Sequence, residues 1–264
     1  MKILVPVKQI SVVDEDFELR ADGKDVDPDY LDTEANEWDD YSYEAALEIM
    51  EAADGDVEVV PVTVGPDDAE DVLRRCLAKG GDRGIRVWDD DLVDATPAAI
   101  AKVLAKVVAK EQPDLVFTGT LSSDRSFAQT GVSLAAELGW PHVAVVTGID
   151  WKPGDPKATL KRELEGGLIE EVSVECPAVL TIQLGINTPR YASLRGVKQA
   201  KEKPVQEWSL ADLGLTGAEL AAGASFRVRR MYKPETGRAE LIEGTTAEQA
   251  ARLAAIINEL RGAA

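Results

Sequence analysis

The spacing of apolar residues changes character along the chain, and each change marks an element. Lys2–Val7 is apolar with little alternation, which predicts a strand buried on both faces of a parallel sheet. Ser11 to Asp16 is polar and predicts a loop. Phe17–Arg20 and Lys24–Val26 flank Ala21-Asp22-Gly23, a small hairpin with glycine in its turn. From Asn36–Asp40 onward, Tyr43, Ala46, Leu47 and Met50 fall at the spacing of one buried helical face. Val57–Val64 predicts a second core strand, stopped by Gly65-Pro66, with Asp67 and Asp68 in the first turn of the next helix. Val72, Leu73, Cys76 and Leu77 form that helix's inner face, and Gly80-Gly81 ends it. Ile85–Val87 is a third strand. Thr96 caps a helix with Pro97 at its first position, and Ile100, Val103, Leu104, Val107 and Val108 make its apolar stripe. Leu115–Phe117 is a fourth strand, followed by a polar loop and a helix reaching Leu138. Phe127, Gly131, Leu134, Ala135 and Leu138 are expected on that helix's inner face.

Strand and helix thus alternate from residue 2 to 138, the pattern of right-handed βαβ crossovers and a parallel sheet. Between 143 and 182 the helical period vanishes. Val143–Ile149, Ala158–Leu164, Leu168–Val174 and Ala178–Ile182 read as strands, with Glu165-Gly166-Gly167 as a turn, which predicts an antiparallel extension on the sheet edge. Asn187–Lys203 is a loop or short helix rich in Lys and Arg. Pro204–Arg238 has no clear core face and reads as an arm. Thr245 and Glu248 form a capping box before a last helix with Ala250, Leu253, Ala254 and Ile257 on one face. The expected class is α/β: an open parallel sheet with helices on both faces, an antiparallel edge extension, and a C-terminal arm with a helix. Residues 1–205 are expected to form the α/β domain and 206–264 the arm and helix. Docking of that helix on a partner and docking on its own domain fit the pattern equally.

Composition narrows the function. The 264 residues carry a net charge of −19, with the acids dispersed along the chain. That balance disfavours nucleic-acid binding, which needs clustered Lys and Arg. It suits a hydrated surface in high salt, where screening weakens self-repulsion, so a halophilic source is the favoured explanation and a basic partner the competing one. No apolar run approaches the roughly 20 residues of a transmembrane helix. The opening residues lack a signal-peptide pattern, so a cytoplasmic protein is expected. Cys76 and Cys176 are far apart and suit reduced packing residues.

The chemistry-bearing stretch runs from Leu115 to Gly131. Gly119 and Thr120 bring a buried strand to its carboxyl end, and Ser122, Ser123 and Asp124 are helix-capping residue types. A strand end, a small polar loop and a helix N-terminus make a place where amides and the helix dipole meet an anion; an ordinary strand-to-helix connection would look the same. The single histidine, His142, has no acid partner in sequence and reads as a packing residue. No phosphate-loop, dinucleotide, nucleophile-elbow or Cys-x-x-Cys motif occurs. Asp39-Asp40, Asp67-Asp68 and Asp89-Asp90-Asp91 read as solvated faces of an acidic protein rather than metal ligands. No catalytic set stands out, so a nucleotide-binding or cofactor-sharing protein fits better than a self-contained enzyme.

Several ordered motifs resemble the beta subunit of electron transfer flavoprotein over nearly the whole chain. They are Lys2–Gln9; Asn36–Ala46, with Glu37 and Trp38 where the family has proline and phenylalanine; Val64-Gly65-Pro66; and Ala78–Gly84. The most specific runs from Arg162–Gly167 through Glu170 to Val172–Thr181, with Leu160 a mild departure. Asn187–Leu194 closes the series. The resemblance implies an adenine-nucleotide-hydrolase-like sheet and a heterodimer with an alpha subunit that holds most of an FAD. It implies electrons taken from acyl-CoA or other dehydrogenases, as in fatty acid oxidation, and passed to a membrane quinone oxidoreductase. An AMP would be held by Gly119, Thr120, Ser122, Ser123, Asp124, Ala128, Gln129, Thr130 and Gly131, with Pro6, Asn36 and Val64 as further contacts. Its phosphate would lie on the amides around Gln129–Gly131. In an electron-bifurcating branch a second FAD takes the AMP site. Ala128 leans to that branch and Thr130 to AMP, so both stay open. The family's docking loop matches Tyr191 to Lys203, with Leu194 as apolar anchor, Tyr191 beside it, Lys198 and Lys201 on its rim, and Arg195 where proline is frequent. A stand-alone, universal-stress-type protein binding ATP or AMP is the alternative from another class.

Overall fold

The structure, a computed structural model, describes residues 1–53, 56–221, 228–233, 237 and 239–262. Strand β1 (Lys2–Pro6) lies inside a nine-stranded sheet because its residues serve two cores. Ile3 and Val5 enter one apolar cluster and Leu4 the other, as alternate residues of a strand must. β2 (Gln9–Val13) leaves this sheet and pairs antiparallel with β3 (Leu31–Ala35). Then come α1 (Glu37–Ala52), β4 (Glu58–Val64), α2 (Glu70–Lys79), β5 (Gly84–Val87), α3 (Pro97–Glu111), β6 (Leu115–Gly119) and α4 (Thr130–Leu138). The second half holds β7 (His142–Asp150), β8 (Lys157–Glu163), β9 (Ile169–Glu175), β10 (Ala178–Ile182), α5 (Leu194–Ala200), β11 (Val205–Trp208), α6 (Gly217–Ala221) and α7 (Thr246–Gly262).

Across the sheet the order is β11-β5-β4-β1-β6-β10-β7-β8-β9. The strands from β11 to β7 pair in parallel, and β7, β8 and β9 pair antiparallel. Tyr43, Ala46 and Leu47 of α1 and Val72 and Cys76 of α2 pack on one face with Ile3, Val5, Val59 and Phe117. Val103, Leu104 and Val107 of α3 and Leu134 and Ala135 of α4 pack on the other with Leu4, Val62 and Val116. From β1 the chain builds outward through β4 and β5, then returns to lay β6 on the opposite side of β1. The carboxyl ends of β1 and β6 therefore part at a topological switch, where open α/β sheets bind ligands.

The expected α/β class holds, and several local readings change. Gln9–Val13 is a strand, although Ser11–Asp16 reads as a loop: its partner is Leu31–Ala35, too distant in sequence for the local pattern to reveal. The hairpin at 17–26 reduces to a single bridge, Leu19 to Val26, around Gly23 at φ 62°. Ala178–Ile182 is no antiparallel edge; it lies between β6 and β7, parallel to both, and all five residues are buried. The weakly patterned stretch after Pro204 begins with β11 on the edge of β5, and Leu210, Leu213 and Leu220 are buried in the second core. Apolar residues spread over short turns give no period, so this packing was invisible. Part of Pro204–Arg238, at 222–227, 234–236 and 238, lies outside the described residues. α7 opens on the capping box, with the Thr245 N–H and hydroxyl both donating to Glu248 Oε2 at 2.8 Å. None of its described residues is buried, and Leu253, Ile257 and Leu260 stand exposed. Among the described residues, no helix is long and apolar enough to cross a membrane.

Candidate functional site

A cleft of about 950 Å³ opens at the switch between β1 and β6. Its walls include Pro6 from β1, Asn36 before α1, Val62 and Val64 from β4, and Thr118–Ser122, Asp124 and Phe127–Thr130 from the end of β6 and the following loop. Ten of the residues expected to hold a nucleotide line it: Pro6, Asn36, Val64, Gly119, Thr120, Ser122, Asp124, Ala128, Gln129 and Thr130. The other two stand just behind. The Ser123 amide points at Asn36 Oδ1, 3.4 Å away, and Gly131 is buried under the start of α4.

Ser122, Ser123 and Asp124 do not cap a helix, because α4 begins only at Thr130. Their groups are taken by tertiary contacts. Lys8, one residue beyond the Val7 amide that bonds Val62, donates its ammonium to both oxygens of Asp124 at 2.6 and 2.7 Å and to Ser122 Oγ at 3.2 Å. Asn36 Nδ2 donates to the Leu121 carbonyl at 2.9 Å. Ser126 and Ala128 take φ of 51° and 52°, left-handed values that break any right-handed helix through this loop. Phe127, expected on the inner helical face, is therefore exposed on the loop. Two non-glycine residues held in this region mark strain at a site that the surroundings enforce.

The result is a helix N-terminus with no side-chain cap at Gln129, facing a cleft. Beneath it Gly131 is pressed against the sheet: a Cβ there would stand 2.5 Å from Thr118 Oγ1 and from Thr181 Cγ2. Thr118 lines the cleft and is only 5% exposed, yet its hydroxyl has no hydrogen-bond partner. A buried polar atom without a partner costs stability unless a ligand or water meets it. Uncapped amides and an unmet hydroxyl together fit an anionic group such as a phosphate.

Asp39 holds this end of the sheet together, a role the residue pattern did not reveal. Its buried carboxylate accepts the Lys8 N–H at 2.8 Å and the Gly119 N–H at 3.0 Å, tying β6 to the segment after β1. Burial raises its pKa to about 7, against the lowering effect of the Lys8, Asn36 and Gly119 hydrogen bonds. Asp124 is shifted the other way: burial raises it, but Lys8 and Ser122 hold it below the usual carboxylate range. The sequence reads Asp39 as one of a solvated acidic pair, and the structure corrects this: the side chain is buried, because the Lys8 and Gly119 amides converge on it from the segment after β1 and from β6. Thr118 carries no sign in the sequence, since threonine is ordinary in a strand. Arg20, Lys24 and Arg125, with Asp22 and Asp25, also line the cleft, and no pattern in the sequence marks them.

The remaining acids behave as surface or structural groups. Asp67 pairs with the buried Arg86 at 2.9 Å, and Asp89 accepts the Asp91 amide at 3.2 Å. Among the described residues no group of three His, Cys, Asp or Glu side chains could hold a metal ion. His142 is half-buried at the start of β7, and burial lowers its pKa. Both cysteines are free, and burial pushes the Cys76 thiol up.

A family model described as the electron transfer flavoprotein domain matches residues 26–213. The electron transfer flavoprotein subunit beta of Methylophilus methylotrophus is 57% identical over 264 residues, covering 100% of both chains. The chain belongs to the electron transfer flavoprotein beta-subunit family. The subunit beta of Bradyrhizobium diazoefficiens is 39% identical over 215 residues, 81% of this chain and 84% of its own. The mitochondrial subunit beta of Arabidopsis thaliana is 37% identical over 213 residues, 81% of this chain and 83% of its own.

In this member of the beta-subunit family the second set of expected residues lies away from the cleft, on the segment packed against α2. Tyr191 is 100% exposed and Leu194 86%, so neither packs on its own domain, and Lys198 and Lys201 stand exposed beside them. The segment is clamped at both ends. Arg190 donates its backbone N–H and its guanidinium to Glu44, a buried acid of α1, and also pairs with Glu51. Lys203 donates to the Leu77 and Gly81 carbonyls at 2.8 and 2.7 Å, and Arg74 to those of Ala200 and Lys203 at 2.7 and 2.6 Å.

Proposed function

We propose that the protein is the beta half of a heterodimeric electron transfer flavoprotein. It pairs with an alpha subunit, shares an FAD with it, and carries electrons from acyl-CoA or other dehydrogenases toward a quinone oxidoreductase. The shared flavin supplies the redox chemistry. This chain's own cleft takes an adenine nucleotide, AMP in the first reading. Its phosphate lies on the α4 amides around Gln129, Thr130 and Gly131, within reach of the Thr118 hydroxyl, and its adenine lies toward Pro6 and Val64. The observation that carries the reading is the uncapped α4 N-terminus above an unmet, buried Thr118 hydroxyl. The nucleotide holds in place a loop that would otherwise be strained.

A second reading, with a second FAD in this cleft and an electron-bifurcating complex, is favoured by one observation. The cleft volume of about 950 Å³ is near the upper end of ordinary ligand pockets and exceeds what a mononucleotide fills. Tyr191 and Leu194, with Lys198 and Lys201 around them, dock the dehydrogenase as an apolar anchor with a charged rim. The α7 end of the arm docks on the alpha subunit, which covers the exposed Leu253, Ile257 and Leu260. The dispersed acids suit a high-salt, cytoplasmic setting.

Co-expression with the companion alpha chain, followed by denaturation and mass identification of the released nucleotides, tests the proposal. One FAD and one AMP per heterodimer support the carrier, and two FAD support the bifurcating reading. A colourless complex free of any adenine compound overturns both.

A further inference from the structure

The nucleotide cleft has an outer wall that comes from far along the chain. Val228 lines it together with the residues of the loop after β6. Three residues on, the Met231 N–H donates to the Gly23 carbonyl at 2.7 Å. Two residues beyond that, the Lys233 ammonium stands over the Phe17 ring, 4.4 Å from its centroid. The turn that receives these contacts is itself part of the cleft rim, to which it contributes Arg20 and Lys24. It is held by one strand bridge, by backbone bonds from Gly23 to Arg20 at 2.8 Å, from Arg20 to Asp25 at 2.9 Å and from Asp27 to Glu18 at 2.8 Å, and by the ion pairs of Asp25 with Arg20 at 3.6 Å and with Arg125 of the cleft loop at 3.9 Å. These contacts are few and mostly at the surface, so the rim opens at lower cost than the sheet, and a contact from outside it adds directly to what keeps it shut.

From this juxtaposition, and resting on the nucleotide reading above, we infer that residues 228–233 are a strap across the cleft that sets how fast a bound adenine nucleotide leaves. Phe17 and Lys233 are positioning residues: they touch the strap and the rim, and act on the ligand through them. Charge supports the same arrangement. The strap carries the exposed Arg229 and Arg230, which bring positive charge to the mouth of an anion site in a protein of net charge −19.

The test loads the full-length chain with radiolabelled AMP and follows release after dilution into excess unlabelled AMP. Phe17→Ala and Lys233→Ala each remove the same cation–π contact, so each speeds release about two- to fivefold. The double variant releases no faster than the faster single, because both remove one interaction. Phe17→Trp keeps an aromatic face under the ammonium and releases at the wild-type rate or more slowly. The melting temperature of the nucleotide-free chain moves by no more than about 4 °C in any of the four, the size of one lost surface contact, which separates a strap from a general loss of structure. Unchanged release in both single variants, or a double variant whose effects multiply, overturns the strap and leaves the nucleotide site standing. A wild-type chain that retains no AMP overturns the nucleotide reading and the strap with it.

Discussion

Gly131→Ala probes the proposed anion site with a single methyl group. A Cβ at 131 would lie 2.5 Å from both Thr118 Oγ1 and Thr181 Cγ2, roughly 1 Å closer than the 3.5 Å or so of ordinary packing contact. Neither neighbour can retreat. Both are β-branched, both are buried, and they stand on adjacent strands β6 and β10. The first turn of α4 must therefore lift by about 1 Å. Overpacking of this kind costs about 1–3 kcal/mol in stability. The same displacement carries amide–phosphate hydrogen bonds from about 2.9 Å past their useful range. Each bond to a charged group is worth about 1.5–3 kcal/mol, so losing one weakens AMP binding about ten- to hundredfold. The assay is calorimetric titration of the nucleotide-free chain with AMP, paired with denaturant unfolding. Gly148→Ala is the control, because a Cβ there meets the Lys161 side chain at 3.4–3.6 Å and needs no rearrangement. Affinity for AMP within twofold of wild type in Gly131→Ala would refute the placement of the phosphate at this helix end.

Further outcomes are expected from the same geometry. Thr118→Val removes the unmet hydroxyl without changing shape; the nucleotide-free chain should gain about 1 kcal/mol by denaturant unfolding while AMP affinity falls, and an unchanged affinity would leave the hydroxyl without a role. Asp39, whose pKa is raised from 3.8 to about 7, binds its proton more tightly folded than unfolded. Its contribution to stability is therefore fully present below about pH 4 and is lost as pH rises through about 7, so the stability of wild type relative to Asp39→Asn should fall across that window; a flat difference argues against a buried titrating carboxylate. Leu194→Ala should change stability by less than about 0.5 kcal/mol, since the side chain is exposed, yet slow flavin reduction by the donor dehydrogenase. Raising salt from 0.1 to 1 M shortens the screening length from about 10 to 3 Å, so the melting temperature should rise with sodium chloride if dispersed acids repel one another.

How much of this was legible in the residues depends on whether the information was local. Runs such as Val57–Val64, and stripes such as Val103, Leu104, Val107 and Val108, announce their elements because every neighbour obeys one period. β2 and β11 announce nothing, because their partners lie some twenty and more than a hundred residues away and only pairing makes them strands. The start of α4, at Thr130, departs from the expectation for a related reason. Ser122, Ser123 and Asp124 are good cap residues by type, but Lys8 and Asn36 arrive from distant parts of the chain and occupy the loop. The cleft's loop and wall were visible as a strand end followed by small polar residues and through the family resemblance. The roles of Lys8, Asp39 and Thr118 have no local signature, since they are made by contacts across the sheet.

One helix ties both ends of the molecule's business to a common ruler. Asn36, at the head of α1, grips the loop of the cleft, and Glu44, two turns later, grips Arg190 at the root of the exposed Tyr191–Leu194 segment. At about 1.5 Å per residue the two grips are some 12 Å apart along the axis, and about 100° of rotation accompanies every residue between them. A single amino acid inserted into that interval cannot satisfy both: whichever grip survives, the other is turned to face the wrong way. The spacing between the cleft and the exposed segment is therefore set by the residue count of this short stretch of helix.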